Sequence, residues 1–493
     1  MLNYLKLQAN KTLTENGAET YASTMSNCLD LFSTIGALRQ ADDQEITVRF
    51  LRAWAESRDI ALKTAFYARD VRGGLGERRV FRVILAGLAV SNPKTVVKNL
   101  PYIVEMGRYD DLLVLMDTPC QDAAAAFIGE QLKRDIAALD AGETNISLLG
   151  KWLPSVNASS EETNRIGRKL AKALGMSCKE YRQTLSRLRR GIAILENNLR
   201  ERDYSFDYNL QPSKAMLKYR KAFLRNDKER YQGYMELVMS GKAKLNTETL
   251  YPYEIVAPWV NQGGEPGTKE ERRALEATWN ALPDYTNGEN ALVVADGSGS
   301  MYMSCYRPLP AAVAMSLAVY FAQRNRGAFR GHFMTFSRRP QLVQIKGRDL
   351  YEQIRYCMSF NEVANTNIEA VFELLLKTAV HNRLKQSELP SVIYIISDME
   401  FDRCAENSDL TNFQNAKRKF RRAGYRLPRV VFWNVASRNL QQPVTSNEQG
   451  VVLVSGCSPR VFQLALSENP SPYRFMLEVL GAERYEKITA AAE

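Results

Sequence analysis

Asp296, Ser298 and Ser300 carry oxygen side chains at alternate positions of Ala291-Leu-Val-Val-Ala-Asp-Gly-Ser-Gly-Ser-Met301, directly after an apolar run. Side chains leaving a strand end together in this way can converge on one point, and Gly297 and Gly299 allow the tight loop that this requires. One carboxylate with two hydroxyls suits a hard cation, Mg²⁺ or Mn²⁺, rather than zinc, and so few charged ligands leave a coordination position open. The plainer reading of the same residues is a polar turn after a strand.

Two downstream segments bear on that choice. Val392-Ile-Tyr-Ile-Ile-Ser-Asp398 is a second buried-type strand ending in an aspartate, and Asn365-Thr366-Asn367 precedes an apolar helix pattern of Ile368, Val371, Phe372 and Leu375. Strand C-termini and the loops after them are where α/β sheets build sites. The ordered set resembles the metal-ion-dependent adhesion site of von Willebrand factor A domains. That resemblance implies Asp296, Ser298, Ser300, Thr366 and Asp398 as ligands of Mg²⁺ (or Mn²⁺), with an Asp or Glu of a protein partner completing the shell.

Asp398, Glu400 and Asp402 also raise a metal-dependent nuclease, since two-metal hydrolysis needs several carboxylates. A hydroxyl-dominated ligand set is poor at holding two dications, and the two histidines, His332 and His381, fall singly in a strand and a helix pattern. There is no Gly-x-x-x-x-Gly-Lys-Ser/Thr phosphate loop. No catalytic residue is assigned and an enzyme is not expected.

The elements that must position these residues read as a multidomain α plus α/β protein. In the C-terminal part, strand patterns at 291–296, 331–336, 341–345, 392–397, 429–435 and 450–454 alternate with helix patterns near 308–323, 348–358, 368–384 and 410–423. This alternation predicts a doubly wound, Rossmann-like sheet over 289–493, and the Ser-Arg-Arg-Pro turn before Gln341 predicts one antiparallel edge strand. Residues 1–250 carry amphipathic helix patterns and almost no strand signal, which predicts an all-α array of stacked helical pairs, HEAT-like in character. Residues 251–288, with the Gly- and Pro-rich stretch 261–267, read as a connector.

The chain has 493 residues and seven scattered cysteines with no Cys-x-x-Cys pair, which predicts a reducing, cytoplasmic setting without a disulfide framework. No apolar run reaches the length of a membrane helix, and no membrane partner is expected. Its +11 net charge is local: residues 151–230 hold 19 Lys and Arg against 9 Asp and Glu. Ser159-x-x-Glu162 and Ser177-x-x-Glu180 predict two capped helices there. Arg165, Arg168, Lys169 and Lys172 group outward on the first, and Lys179, Arg182, Arg189 and Arg190 on the second. Unpaired arginine ridges fit phosphates, and the tyrosines that follow, among them Tyr219, Tyr231, Tyr234, Tyr251 and Tyr253, suit stacking on single-stranded nucleic acid.

A helical array, an A-type domain and a basic helical surface together resemble the TROVE family of Ro-type RNA-binding proteins. The nearer likeness is to TROVE-like proteins of a domain-of-unknown-function family, through Arg69-Asp-Val-Arg-Gly-Gly-Leu-Gly-Glu-Arg78, Gly107-Arg-Tyr-Asp-Asp-Leu112 and Lys151-Trp-Leu-Pro154. The resemblance implies a ribonucleoprotein scaffold that binds RNA, single-stranded or small and structured. The alternative is a protein-interaction module in which the metal captures a partner's carboxylate without RNA.

Overall fold

The computed structural model describes residues 1–192, 194–260, 264–337, 339–360, 367–402, 410–437, 439–464 and 470–492. The chain divides into two compact units, neither of them continuous. A helical unit comprises Ala65–Gln211 with Glu483–Glu493, and an α/β unit comprises Met1–Thr64 with Pro212–Ala482. A linear cut near residue 250 therefore does not describe the packing: the first 64 residues and the segment from 212 onward pack with the sheet.

The helical unit is built on buried charge. Gly107-Arg-Tyr-Asp-Asp111 leads into a short 3-10 helix, Tyr109–Leu115. Asp111 is fully buried and accepts from Arg69 Nε at 2.7 Å, Arg82 Nε at 2.6 Å and the Arg108 amide at 3.0 Å. Beside it, Asp110 takes Arg78 at 2.6 Å and Arg82 at 3.0 Å. A Cβ at Gly107 would lie 2.4 Å from the Asp111 carboxylate, so only glycine lets the helix Leu100–Met106 close on this cluster. The Gly73-Gly74 stretch is a helix-to-helix turn in which the Gly74 and Gly76 amides donate to the Asp70 carbonyl and the Leu75 amide to that of Tyr67. At Gly74 a Cβ would strike the Tyr67 carbonyl. The C-terminal segment returns here, where Arg484 and Tyr485 both hold the Asp70 carboxylate.

Two helices of this unit carry the predicted basic ridges: α1 (Glu161–Ala173) and α2 (Cys178–Gly191). The capping box at Ser177 and Glu180 forms as the sequence predicts, with both reciprocal bonds in place. On α1 the cap is Ser160, one residue later than the Ser159 expected, and its hydroxyl accepts from Thr163 N. Leu170, Tyr181, Leu185 and Leu188 are buried; α2 ends at Gly191, and a separate helix, Leu195–Glu201, follows.

The α/β unit opens with a short helix, Leu2–Ala9, followed by a hairpin of β1 (Lys11–Leu13) and β2 (Glu19–Tyr21) in a stretch expected to be helical. Each strand is three residues long, too short for an alternation signal, and the hairpin is held by tertiary contacts. Thr14 Oγ1 donates to the Phe401 carbonyl at 2.6 Å, and Tyr21 pairs with Gln442. The main sheet contains β3 (Ala291–Asp296), β4 (His332–Phe336), β5 (Leu342–Gln344), β6 (Val392–Ser397), β7 (Arg429–Asn434) and β8 (Val451–Ser455), in the order β5-β4-β3-β6-β7-β8. All neighbours are parallel except β4 and β5, as the sequence predicts.

β3 and β6 are buried at every position because both faces of the sheet are covered. On one face, α3 (Pro310–Arg324) is buried from Pro310 to Ala322. On the other lie α4 (Ile368–His381) and α5 (Asn412–Arg422), whose Phe372 and Phe413 join Val294, Ile395 and Phe432. Among the described residues, no helix is long and apolar enough to cross a membrane.

If the Asp111 cluster holds the helical unit together, Asp111→Ala strands two arginines and is expected to cost about 3–5 kcal/mol in chemical denaturation, the usual penalty for an orphaned buried charge. A loss below about 1 kcal/mol would mean that apolar packing alone carries this unit.

Candidate metal centre and basic surface

Asp296 ends β3, and Ser397 ends the neighbouring parallel strand β6 with Asp398 next in the chain. The loop after β3 folds back at once: the Ser298 amide donates to Asp296 Oδ1 at 2.8 Å, and Gly299–Tyr302 closes as a 3-10 turn. That turn brings the Ser298 and Ser300 hydroxyls to 3.0 Å from each other. Asp296 Oδ2 accepts from Ser397 Oγ at 2.6 Å, which ties the two strand ends together. Asp296 and Asp398 are each only 3 % exposed, Ser298 is buried and Ser300 half-buried. Burial, and then the negative charge of Asp398, push the Asp296 carboxyl up to about 7.

Four of the five expected ligands, Asp296, Ser298, Ser300 and Asp398, thus lie at adjoining strand ends. Thr366 lies outside the described residues, and its neighbour Asn367 caps α4 by accepting from Ala370 N. The donor set fits a hard cation. Two buried carboxylates stand together, that of Asp398 raising the proton affinity of Asp296, two hydroxyls lie beside them, and no thiol or imidazole is involved. Among the described residues there is no group of three His, Cys, Asp or Glu side chains arranged around a metal.

Glu400, read from the sequence as a possible second-metal carboxylate, is 2 % exposed. It accepts from Asn439 Nδ2 at 2.8 Å, Gln441 Nε2 at 2.7 Å and the Glu15 amide at 2.9 Å. Its oxygens fasten the N-terminal hairpin and the 439–442 stretch to the end of the sheet. Asp402 pairs through its backbone with Gly17. Sequence reasoning missed this role because Glu15 and Asn439 are hundreds of residues apart with no pattern linking them.

The structure sorts the eight basic candidates into two groups. Arg168, Lys172, Lys179, Arg182 and Arg190 are exposed on the neighbouring helices α1 and α2, and none of them forms an ion pair among the described residues. Arg165, in contrast, is paired with Glu162 and with Asp117, and Lys169 also with Asp117. Arg189 is half-buried and donates to the carbonyls of Gly150 and Leu153, both at 2.9 Å, and to Ser155 Oγ at 2.7 Å. The ridges are therefore not unpaired throughout, because a helical period shows which face a cation occupies and not what the next helix brings to it. Tyr231, Tyr234 and Tyr251 are buried, so they are not free to stack on bases.

Arg189 holds α2 against the Lys151-Trp-Leu-Pro154 turn, where Arg108 lies 4.3 Å over the Trp152 ring. A cleft of about 620 Å³ opens beside this turn, lined among others by Arg78, Asp110, Trp152, Pro154 and Arg165. The three short stretches singled out in the sequence thus meet at one place.

Two family models match the chain one after the other along the sequence. The family model Domain of unknown function (DUF2828) matches residues 14–116 and 120–287, and Domain of unknown function (DUF7788) matches 290–476. An uncharacterized protein of Acanthamoeba polyphaga mimivirus is 27% identical over 513 aligned residues, spanning 96% of this chain and 87% of that protein. Among solved structures, the Deinococcus radiodurans RO (RSR) protein aligns over 94% of this chain and 100% of its own at 13% identity and a TM-score of 0.34, too loose a likeness to rest fold or function on.

The two kinds of arginine on α2 separate in a stability measurement. Arg189→Ala should lower stability by about 2–3 kcal/mol, since it deletes charge-assisted bonds to two carbonyls. Arg182→Glu, on the solvent face, should leave the unfolding midpoint unchanged. Equal midpoints for the two variants would show that Arg189 is not a structural tie.

Proposed function

We propose that this chain, which belongs to the DUF2828 family, is a non-enzymatic, cytoplasmic RNA-binding scaffold of a ribonucleoprotein, with a Mg²⁺ (or Mn²⁺) site in its α/β unit. The observation that carries the RNA reading is the set of exposed cations without acidic partners, Arg168, Lys172, Lys179, Arg182 and Arg190, on two packed helices. Such a surface neutralises phosphates without reading sequence. The buried tyrosines support this restriction, because backbone contact needs no stacking platform.

Asp296, Ser298, Ser300 and Asp398, with Thr366, would hold the cation. When bound, it supplies an electrophilic position that an outside carboxylate can occupy. Around it Ser397 Oγ orients Asp296, and the Ser298 amide fixes the loop. Glu400 is committed to Asn439, Gln441 and the Glu15 amide, which argues against a second metal and hence against a nuclease. The second reading, a protein-interaction module without RNA, draws on the same exposed side of the donor set, where Ser300 is only half-buried.

Two measurements test these readings. Binding of a labelled single-stranded oligouridylate should fall linearly on a log-log plot against salt, and replacing Arg168, Lys172, Lys179 and Arg182 by Glu should flatten the slope by roughly 0.7 for each phosphate no longer neutralised. An unchanged slope would remove this face from the RNA path, and no binding by the wild type would favour the protein module. For the metal, Asp296→Ala with Ser298→Ala should abolish Mn²⁺ binding in calorimetry while the helical unit stays folded. Retained Mn²⁺ binding in that double variant would refute the site. Purified protein with Mg²⁺ should leave labelled RNA intact, and cleavage lost on Asp398→Ala would restore the nuclease.

A further inference from the structure

We infer that the α/β unit carries a second phosphate-binding surface for single-stranded RNA, formed by Arg383, Lys385, Arg421, Arg422 and Arg426 at the end of the sheet opposite the candidate metal centre. The inference rests on the RNA reading above but concerns a different unit of the chain.

The topology brings these residues together. The loop 382–391 leads from α4 into the start of β6, and 423–428 leads from α5 into the start of β7, its parallel neighbour. Asp296 and Asp398 stand at or just past the opposite, C-terminal ends of β3 and β6, a strand length of roughly 20 Å away for six residues. The two loops are clamped by side chains: Arg426 N donates to Gln386 Oε1 at 2.9 Å, and Gln386 Nε2 donates back to the Arg426 carbonyl at 3.1 Å. Tyr425 Oη donates toward the carbonyls of Leu384 at 2.8 Å and Ala379 at 3.1 Å, which pins the second loop onto the end of α4.

Charge is sorted sharply along α5. Lys417 is neutralised by Glu448, and Lys419 by Glu369 and Glu373 together. One turn later the acids stop: Arg421, Arg422 and Arg426 are exposed, as are Arg383 and Lys385 on the facing loop, and none of the five forms an ion pair among the described residues. Glu388 is the acid in this loop, and it accepts from the Lys385 amide at 2.6 Å. Arg383 follows the C-cap residue Asn382 of α4 and takes the left-handed conformation common there, with φ 52°.

Four of the five cations are arginines, whose planar fork matches phosphate oxygens in pairs. The Tyr425 hydroxyl is used internally, so the surface offers charge without a stacking platform, as suits the backbone of a flexible strand. Arg421 and Arg422 also sit in the last turn of α5, where the helix dipole favours cations even without a ligand. Arg383, Lys385 and Arg426 lie outside any helix, and that account does not cover them.

The test uses the full chain, a labelled single-stranded oligouridylate and fluorescence anisotropy across a salt series. Arg421→Glu, Arg422→Glu and Arg426→Glu together should weaken binding at least tenfold at low salt and reduce the log-log slope by about 2, at roughly 0.7 for each phosphate engaged. The Gln versions of the same three substitutions should give a smaller loss in the same direction and guard against misfolding of the Glu variant. If both variants keep wild-type affinity and slope while reversal of Arg168 and Arg182 abolishes binding, the helical face alone holds RNA and this inference fails. If the α5 variants lose binding and the helical ones keep it, this surface stands and the helical reading falls. A wild type that binds no RNA overturns both. One that instead binds phosphatidylserine vesicles through these arginines assigns the surface to lipid headgroups and overturns the inference.

Discussion

Three carboxylates, Asp296, Asp398 and Glu400, are buried at the ends of two neighbouring parallel strands, and the layout of the α/β unit follows from having to satisfy them. An ionised carboxyl removed from water must be matched by donors or a cation, or else take up a proton. Glu400 is matched by donors from two remote segments, the amide of Glu15 in the N-terminal hairpin and the side chains of Asn439 and Gln441. That requirement fastens the N-terminal hairpin, a separate two-stranded sheet, to the end of the main sheet. Asp296 receives one hydroxyl and one amide, and burial leaves its carboxyl near neutrality in its proton affinity. A divalent ion at this point would relieve what the hydrogen bonds do not.

The helical unit meets the same constraint by the opposite means. Asp111 is fully buried against Arg69 and Arg82, permanent cations whose removal would leave a charge stranded. Asp70 is matched by Arg484 and Tyr485 from the far end of the chain. Each unit is thus completed by a segment distant in sequence that supplies partners to a buried carboxylate. Glycines at 74 and 107 are the backbone side of this arrangement, since a side chain at either position would displace what packs against it.

The parts legible in the sequence were those with continuous or periodic apolar patterns. β3 and β6 read as buried strands because five of six residues in Ala291-Leu-Val-Val-Ala-Asp296 and in Val392-Ile-Tyr-Ile-Ile-Ser397 are apolar, and the Ser-Arg-Arg-Pro turn marked the antiparallel edge. The convergence of Asp296, Ser298 and Ser300 was readable because the ligands are local. Partners contributed by remote segments were not. Arg165 and Arg189 looked alike on a helical wheel, yet one meets Asp117 in solvent and the other three acceptors in a half-buried turn. The basicity of the α5 stretch stands in the sequence, seven Lys and Arg and no Asp or Glu over 410–429, but which of these cations stay exposed is set by remote partners: Glu448, Glu369 and Glu373 take up Lys417 and Lys419, and Arg383 and Lys385 join from another loop.

Asp296 and Asp398 stand where β3 and β6 end, and the exposed Arg421, Arg422 and Arg426 where β6 and β7 begin, so the two candidate surfaces lie at opposite ends of the sheet. A polyanion is drawn to the arginine end, with an effective reach set by a Debye length of about 8 Å at physiological salt. A single carboxylate on a folded partner, in contrast, can reach one open coordination position at little electrostatic penalty. Capture of a protein at one end and of RNA at the other would therefore not compete for the same surface, and a single α/β unit could support both.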